Sequence, residues 1–147
     1  MTGTSLPADW KDKIGWFFDL PRSGERANTQ PALARGILVF NTNQPQTSTC
    51  FAGGVSYQYQ VDYRTGGPDA TSGINVGSTG TLLVGTKLAS ALATRVTLVE
   101  LQLDGGQSSV KAITVGRDGK LYDTDVGQGH TSSIQKRVSW RELFSDK

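Results

Sequence analysis

Three aspartates in the C-terminal third of the chain have the side-chain type that calcium sites use. Asp118, Asp123 and Asp125 lie among glycines, and Ca²⁺ prefers carboxylate oxygens as ligands. Their spacing departs from a calcium loop, because Gly127 stands where the third ligand belongs. Aspartate followed by glycine is typical of tight turns. The sequence therefore predicts turn-forming aspartates and no metal site, with these three residues as its calcium candidates.

The single cysteine and the single histidine are the remaining candidates for chemistry. A nucleophile pair of Cys50 and His130 would need the two close in space, and Cys50 lies in a glycine-flanked loop without a nucleophile signature. A zinc site would need two further ligands from carboxylates. Asp123 and Asp125 would share one strand face, whereas glycosidase carboxylates flank the scissile bond from separate elements. We predict no catalytic residue and no enzymatic activity.

Tyrosines at alternate positions give the clearest candidate for binding. Tyr57, Tyr59 and Tyr63 alternate with polar residues from residue 56 to 63, which is the period of a β-strand with one aromatic face and one polar face. A row of tyrosines offers a large contact area at low entropy cost. The same row is also typical of the core face of a strand, which is the commoner case. Both interpretations predict a strand here.

The elements that would position these residues are short strands separated by turns. An aromatic segment at residues 15–20 precedes Pro21 and Ser23-Gly24, and we expect it to be a strand that stops at Pro21 or lies at an edge. Residues 1–14 are expected to form an N-terminal cap or short helical turn, and residues 15–147 a single β-rich module. Further strands are predicted at 36–42, 56–63, 95–103, 110–115, 121–126 and 136–140. Residues 82–93 could form a strand followed by a short helix, but Gly85 weakens a continuous helix and their state stays open.

Composition limits the class of protein. The 147 residues fit one domain, and 18 glycines suit many short strands and turns. The basic residues are dispersed and the net charge is only +2, so the sequence shows no basic patch of the kind that binds nucleic acid. No segment resembles a signal peptide or a membrane helix, so we expect either a cytosolic protein or a piece of an exported one. In the second case Cys50 could pair with a cysteine outside this chain.

About eight strands joined largely by hairpins predict an all-β fold with antiparallel strands. Such a series is typical of a β-sandwich or of propeller blades. A blade takes about 40 to 45 residues, so the chain would supply two or three blades and could not close a ring alone.

Several motifs, taken in order, resemble the C-terminal part of the PilY/PilC family, large proteins associated with the tips of bacterial type IV pili. The resemblance covers residues 13–67 and 136–144. The motifs are Gly15 to Pro21 (GWFFDLP), Ser23 to Arg26 (SGER), Gly36 to Thr42 (GILVFNT), Pro45, Cys50, Gly53-Gly54, Val61 to Gly67 (VDYRTGG) and Arg137 to Leu143 (RVSWREL).

The resemblance implies the final portion of a modified β-propeller and a non-enzymatic role in pilus assembly, twitching motility and adhesion. The implied partners are pilin or minor pilin subunits, or a host or abiotic surface. The implied location is the pilus tip or cell surface, reached through the periplasm. The family binds calcium in an aspartate-rich loop that normally precedes a strand like the one at Gly15, and no such loop precedes it here. We therefore expect no cofactor in this chain. The alternative is a standalone surface- or carbohydrate-binding β-sandwich.

Overall fold

The chain folds as antiparallel β-sheets in a computed structural model that describes residues 14–17, 19–46, 53–68, 84–103 and 107–127. The strands are β1 (Ala32–Ala34), β2 (Ile37–Pro45), β3 (Gly54–Asp62), β4 (Gly85–Ala89), β5 (Thr97–Gln102), β6 (Ser108–Val115) and β7 (Leu121–Val126). The first sheet has the order β1-β2-β3-β4, and the second has the order β5-β6-β7. The predicted all-β class is confirmed. Within these ranges no helix has the length and apolar character to cross a membrane.

Tight turns set the register of the hairpins. Arg35 and Gly36 connect β1 to β2 with φ angles of 51° and 80°. Two successive residues with positive φ are typical of a two-residue hairpin turn, whose twist matches that of the flanking strands. Between β6 and β7 the Gly116 amide donates to the Lys120 carbonyl at 2.8 Å, and Gly119 has a φ of 76°. Of the turn-forming aspartates predicted, Asp118 therefore lies in a tight turn.

The two sheets pack face to face through small and β-branched side chains. Ile37 and Val39 of the first sheet contact a group of residues from the second, which consists of Val96, Val110, Ala112 and Val126. Inward positions alternate along each strand, so one face of each sheet can exclude water. Face-to-face packing is shared by β-sandwiches and by neighbouring blades of a propeller.

Both faces of β3 are buried, and this changes the meaning of its polar positions. Gln58 and Gln60 are fully buried, as is Asn41 opposite Gln58. The second sheet covers this polar face. Gln60 donates to the Asp125 carbonyl at 3.1 Å, and Asn41 donates to the Thr114 hydroxyl at 2.8 Å. Hydrogen bonds between the sheets thus replace the water that these amides would otherwise bind.

Most predicted strands are present with shifted ends, and one is wrong. The strands predicted at 36–42, 56–63, 95–103, 110–115 and 121–126 correspond to β2, β3, β5, β6 and β7. The described part of residues 15–20 belongs to no strand. Its apolar side chains Trp16 and Leu20 instead pack against the aromatic cluster of the first sheet, and the Trp16 indole N–H donates to the Tyr63 carbonyl. Pro21 accordingly ends no strand.

The rest of the chain differs from the predictions or lies outside the described residues. β1 was not predicted, since Ala-Leu-Ala carries almost no strand signal. Of residues 82–93, the described part forms β4 and then an isolated bridge between Ala93 and Gly116, without a helix. The predicted turn before residue 14, the strand at 136–140 and most of the loop at 68–80 lie outside the described residues.

Candidate functional site

An N-terminal segment, residues 14–26, crosses the aromatic face of the first sheet and divides the tyrosine row. Trp16 and Leu20 pack, half-buried, against a cluster that contains Tyr57 and Tyr59. Tyr59 is 0% exposed, and its ring stacks on that of Phe40 with the centroids 5.1 Å apart. Tyr57 and Tyr59 are therefore core residues, as the simpler interpretation of the row predicts.

A buried ion pair fixes this segment to the sheet. The Tyr59 hydroxyl donates to Glu25 Oε1 at 2.7 Å, and the Thr42 hydroxyl donates to the same oxygen. Arg22 Nη1 lies 3.3 Å from Glu25 Oε2. The Arg22 guanidinium also lies over the Tyr57 ring, 3.6 Å from its centroid, in a cation–π contact. Every oxygen of the buried carboxylate thus has a partner, which offsets its loss of hydration.

The environment of Tyr59 favours its neutral form. Burial raises the pKa of the Tyr59 phenol well above its ordinary value of 10.0, and the hydrogen bond to Glu25 raises that pKa further. A phenolate here would be out of water and beside a carboxylate. Tyr59 is thus a hydrogen-bond donor that holds Glu25.

Tyr63, the third tyrosine of the row, lies outside β3 and is 51% exposed. It belongs to a reverse turn at residues 62–67, which we call the Tyr63 turn. The Tyr63 amide donates to the Gly36 carbonyl at 3.1 Å, and its carbonyl accepts from Trp16 Nε1 at 2.8 Å. Both main-chain groups of Tyr63 are therefore fixed while its side chain faces solvent.

Further hydrogen bonds close the Tyr63 turn on itself. The amides of Thr65 and Gly66 donate to the Asp62 carbonyl at 3.2 and 2.8 Å. The Asp62 amide donates to the Gly67 carbonyl at 2.9 Å, and the Asp62 carboxylate accepts from the Arg64 amide at 2.8 Å. A turn with this many internal bonds has little conformational entropy left to lose on binding.

One glycine allows an aromatic ring to lie against the backbone at this end of the sheet. A Cβ on Gly36 would make only an ordinary contact with the Tyr63 ring, at 3.7 Å. The Trp16 indole lies closer to Gly66, where a Cβ would be 2.5 Å from the ring. Phe17, next in sequence, is 90% exposed. Trp16 and Tyr63 thus form an aromatic surface around the Tyr63 turn, with Phe17 beside Trp16 in the chain.

A guanidinium group, that of Arg64, follows Tyr63 in the chain. Arg64 Nε and Nη2 donate to the two carboxylate oxygens of Asp62 at 3.4 and 3.2 Å. The hydrogen bond to Asp62 raises the pKa of Arg64 above its ordinary value, so the group stays protonated. Its side chain is about half exposed while that of Asp62 is buried. The fork geometry holds the guanidinium plane in one orientation.

The calcium candidates lie elsewhere and do not converge. Lys111 Nζ lies 3.1 Å from Asp123 and 3.0 Å from Asp125, so an ammonium group bridges the two carboxylates on the outer face of the second sheet. Asp118 accepts instead from the Tyr122 hydroxyl at 2.6 Å, which lowers the pKa of that carboxyl. Within the described ranges no three His, Cys, Asp or Glu side chains form a group able to hold a metal ion. Cys50 and His130 lie outside those ranges.

Sequence reasoning singled out Tyr63 but missed Arg64, Phe17 and the glycine beneath Trp16. Gly66 and Gly67 are the local signal for the turn that follows Tyr63. Nothing in the pattern indicated that Gly36, far away in sequence, would accept from the Tyr63 amide. The Asp62-x-Arg64 spacing could have suggested an ion pair within a turn.

No protein-family model, curated protein or solved structure matches the chain. Its fold and its site define an all-β domain that presents an aromatic side chain and a guanidinium group on a rigid turn.

Proposed function

We propose that this chain is a non-enzymatic structural and adhesive module of a type IV pilus tip or assembly protein. It supports pilus biogenesis, twitching motility and surface attachment as part of a modified β-propeller, and its partners are pilin or minor pilin subunits or a host or abiotic surface. The protein acts at the pilus tip or cell surface after export through the periplasm. Its mechanism is presentation, in which a rigid sheet scaffold holds side chains and loops toward the partner.

The observation that supports this proposal most is that motifs far apart in sequence form one contacting unit. Trp16 of the GWFFDLP motif bonds Tyr63 of the VDYRTGG motif. Glu25 of the SGER motif accepts from Thr42 of the GILVFNT motif. Tyr63 in turn donates to Gly36, the first residue of the GILVFNT motif. Motifs that together carry a resemblance to one family are expected to contact one another in the fold. These motifs do so.

The aromatic surface around the Tyr63 turn fits a role in attachment. Exposed aromatic side chains on a rigid support provide contact area with little entropy to lose. The turn is fixed on both sides by Gly36 and Trp16, so the surface is organised before a partner arrives.

The test uses the native protein that carries this chain, in the bacterium that encodes it. Deletion of the gene should reduce surface pili, twitching zones and attachment, and the full-length gene should restore all three. A gene lacking the segment for these 147 residues should fail to restore them. Immunogold labelling should place the protein on pilus tips or the cell surface. A cytoplasmic location, or normal pili and attachment after deletion, would contradict the proposal.

The runner-up is a standalone surface- or carbohydrate-binding β-sandwich. Its supporting observation is the face-to-face contact of the two sheets through Ile37, Val39 and their neighbours. The sequence upstream in the gene discriminates between the two. A signal peptide, a long adhesive region and an aspartate-rich loop favour the pilus protein, whereas a short independent reading frame favours the sandwich.

A further inference from the structure

The second sheet has an open edge along β7. This strand is the last in the order β5-β6-β7 and pairs with β6 on one side only. In an antiparallel ladder, successive residues direct their main-chain groups alternately to one side of the strand and to the other. The Gly116 amide donates to the carbonyl of residue 120, so the β7 residues bonded to β6 are Tyr122, Thr124 and Val126. Leu121, Asp123 and Asp125 therefore direct their main-chain groups away from β6.

Little in the described part of the chain covers this edge. Gln60 of β3 donates to the Asp125 carbonyl at 3.1 Å, and within the described ranges the main-chain groups of Leu121 and Asp123 have no hydrogen bond beyond the ladder with β6. The strand contains no proline and no lysine, two residue types that protect strand edges. An uncovered edge of this kind is a template for another strand.

The packing of the sheets leaves a position for such a strand. The first sheet has one strand more than the second. β6 lies against β2, where Asn41 bonds Thr114, and β7 lies against β3, where Gln60 bonds the β7 main chain. A strand added beside β7 would thus face β4. Thr86 of β4 lies opposite Gln58, whose side chain bonds the second sheet, so Thr86 points the same way, and it is only half-buried.

The outer side of the same edge carries a net negative charge. Lys111 Nζ lies 3.1 Å from Asp123 and 3.0 Å from Asp125, so one ammonium group balances two carboxylates that are each more than half exposed. Neighbouring strands bring side chains of the same face together, so basic residues are favoured on the outer face of an added strand. Its inner face would be enclosed between the two sheets, where apolar residues are favoured.

Residues 134–141 of this chain have both the required alternation and the required reach. One set of alternate residues is polar or basic and consists of Arg137, Ser139 and Arg141. The other set contains the apolar residues Ile134, Val138 and Trp140, with Lys136 as its exception. Residues 127–133 alone separate this segment from β7, which is an ordinary length for a connection between strands. A tethered segment also has a high effective concentration at the edge, which favours it over a separate chain.

We propose that residues 134–141 pair antiparallel with β7 as a fourth strand of the second sheet, with their basic side chains beside Asp123 and Asp125. The added strand covers the edge against pairing with other chains. This inference goes beyond the proposed function and does not rest on it. It is tested on the purified chain, so it fails or holds independently of pilus phenotypes.

The test is amide hydrogen exchange followed by NMR on the full 147-residue chain. The Leu121 and Asp123 amides point away from β6, so the added strand must supply their acceptors. Both amides should exchange at least about tenfold more slowly than a free amide. Residues directly opposite each other share a face, so a cross-strand NOE should join Asp123 to one residue of the polar set, which consists of Arg137, Ser139 and Arg141.

Two proline substitutions separate pairing with β7 from a general effect on the segment. Residues of the polar set direct their N–H groups toward β7 in this arrangement, so Ser139→Pro removes a bond to the edge. It should raise the exchange rates of the Leu121 and Asp123 amides about tenfold or more. Lys136→Pro is the matched control, because its N–H would face away from β7, where an edge strand tolerates proline. It should change both rates by less than about threefold.

A charge reversal tests the same pairing without proline. Arg137→Glu places a third carboxylate beside Asp123 and Asp125, and should also raise the exchange rates of the two edge amides. The Tyr122 and Thr124 amides, which bond β6, should exchange slowly in every variant and show that the sheet is intact. If Ser139→Pro does not fold, Arg137→Glu and the NOE decide the question.

Fast exchange of the Leu121 and Asp123 amides in the unsubstituted chain would show that the edge is open to a partner, and would overturn the inference. Equal effects of Ser139→Pro and Lys136→Pro would overturn it as well. A mixture of isotope-labelled and unlabelled chains identifies the occupant. NOEs within one chain support the inference, whereas NOEs between chains would assign the edge to a second copy and contradict it.

Discussion

At the scale of single residues, one alternating row of tyrosines divides into two different roles. Tyr57 and Tyr59 lie under the N-terminal segment, and Tyr63 lies beyond the last residue of β3. The period of the row is the same throughout, but the strand ends at Asp62, and the covering segment bonds the Tyr63 main chain while leaving the side chain half exposed. Position relative to the strand end and the covering segment decides which tyrosine supports the fold and which can contact a partner.

Glu25 is the residue whose replacement should cost the most stability in this cluster. Glu25→Gln leaves the Arg22 guanidinium without its counter-ion and turns an amide toward it. We expect a loss of about 2–4 kcal/mol in the free energy of unfolding, measured by urea denaturation. Glu100→Gln is the control, because Glu100 also pairs with an arginine but is exposed. It should change stability little, and equal losses in both variants would contradict the role assigned to Glu25.

Tyr59 should make stability depend on alkaline pH. Its pKa is raised in the folded state, so the folded phenol stays neutral when the unfolded phenol, with a pKa of about 10, ionises. Ionisation favours the unfolded state, and the stabilisation from Tyr59 is complete below pH 10 and is lost as the pH rises above it. Tyr59→Phe should lower the free energy of unfolding by about 1 kcal/mol at pH 7.

The difference between wild type and Tyr59→Phe should shrink as urea denaturation is repeated from pH 9 to pH 11. Comparing the two proteins cancels the effects of Lys111 and Tyr122, whose pKa values are also raised. A difference that stays constant over this range would show that Tyr59 ionises equally in both states.

At the scale of elements, the N-terminal segment acts as a cover for the first sheet and not as a strand within it. The Trp16 indole on the Tyr63 turn and the Arg22–Glu25 pair over Tyr57 and Tyr59 hold it by side chains. At its end, Arg26 exchanges two main-chain hydrogen bonds with Asn43. Gly24, with a φ of 75°, allows the turn in which the Glu25 amide donates to the Arg22 carbonyl. The segment therefore depends on local turns and distant contacts together.

Substitutions at two glycines with similar φ angles distinguish the cost of displacing Trp16 from the cost of backbone strain. Gly24→Ala introduces a side chain at φ 75° with nothing within 4 Å, and should cost about 1 kcal/mol. Gly66→Ala, at φ 68°, places a Cβ against the Trp16 ring as well. It should cost about 1–3 kcal/mol more in urea denaturation, because the indole must move. Equal costs would mean that Trp16 does not hold the segment.

At the scale of the whole molecule, a layer of buried amides joins the two sheets. Gln58, Gln60 and Asn41 bond across the interface beside the apolar cluster of Ile37 and Val39. Asn43 extends this layer by pairing with both main-chain groups of Ala93, at 2.7 and 3.0 Å. Directional bonds fix how the sheets align, which apolar contacts alone do less precisely.

Asn43→Ala should destabilise the whole fold, because it leaves the buried amide and carbonyl of Ala93 unpaired. We expect a loss of about 3 kcal/mol in urea denaturation. Asn28→Ala removes an exposed partner of Asn43 and should cost less than about 1 kcal/mol. Faster hydrogen exchange of the Ala93 amide in Asn43→Ala, with no change in Asn28→Ala, would show that the loss of stability arises at Ala93. Comparable losses in both variants would show that the pairing with Ala93 contributes little.

The sequence determined the all-β class and five strand locations, because alternation and glycine-rich turns are local signals that the backbone obeys. It also singled out Tyr63, although as the last residue of a strand. Only the tertiary structure decided that residues 15–20 cover a sheet, that Gln58 and Gln60 are buried, and that Tyr63 bonds Gly36. Each of these depends on contacts between residues far apart in the chain, and a periodic pattern shows that a strand has two faces without showing what covers them.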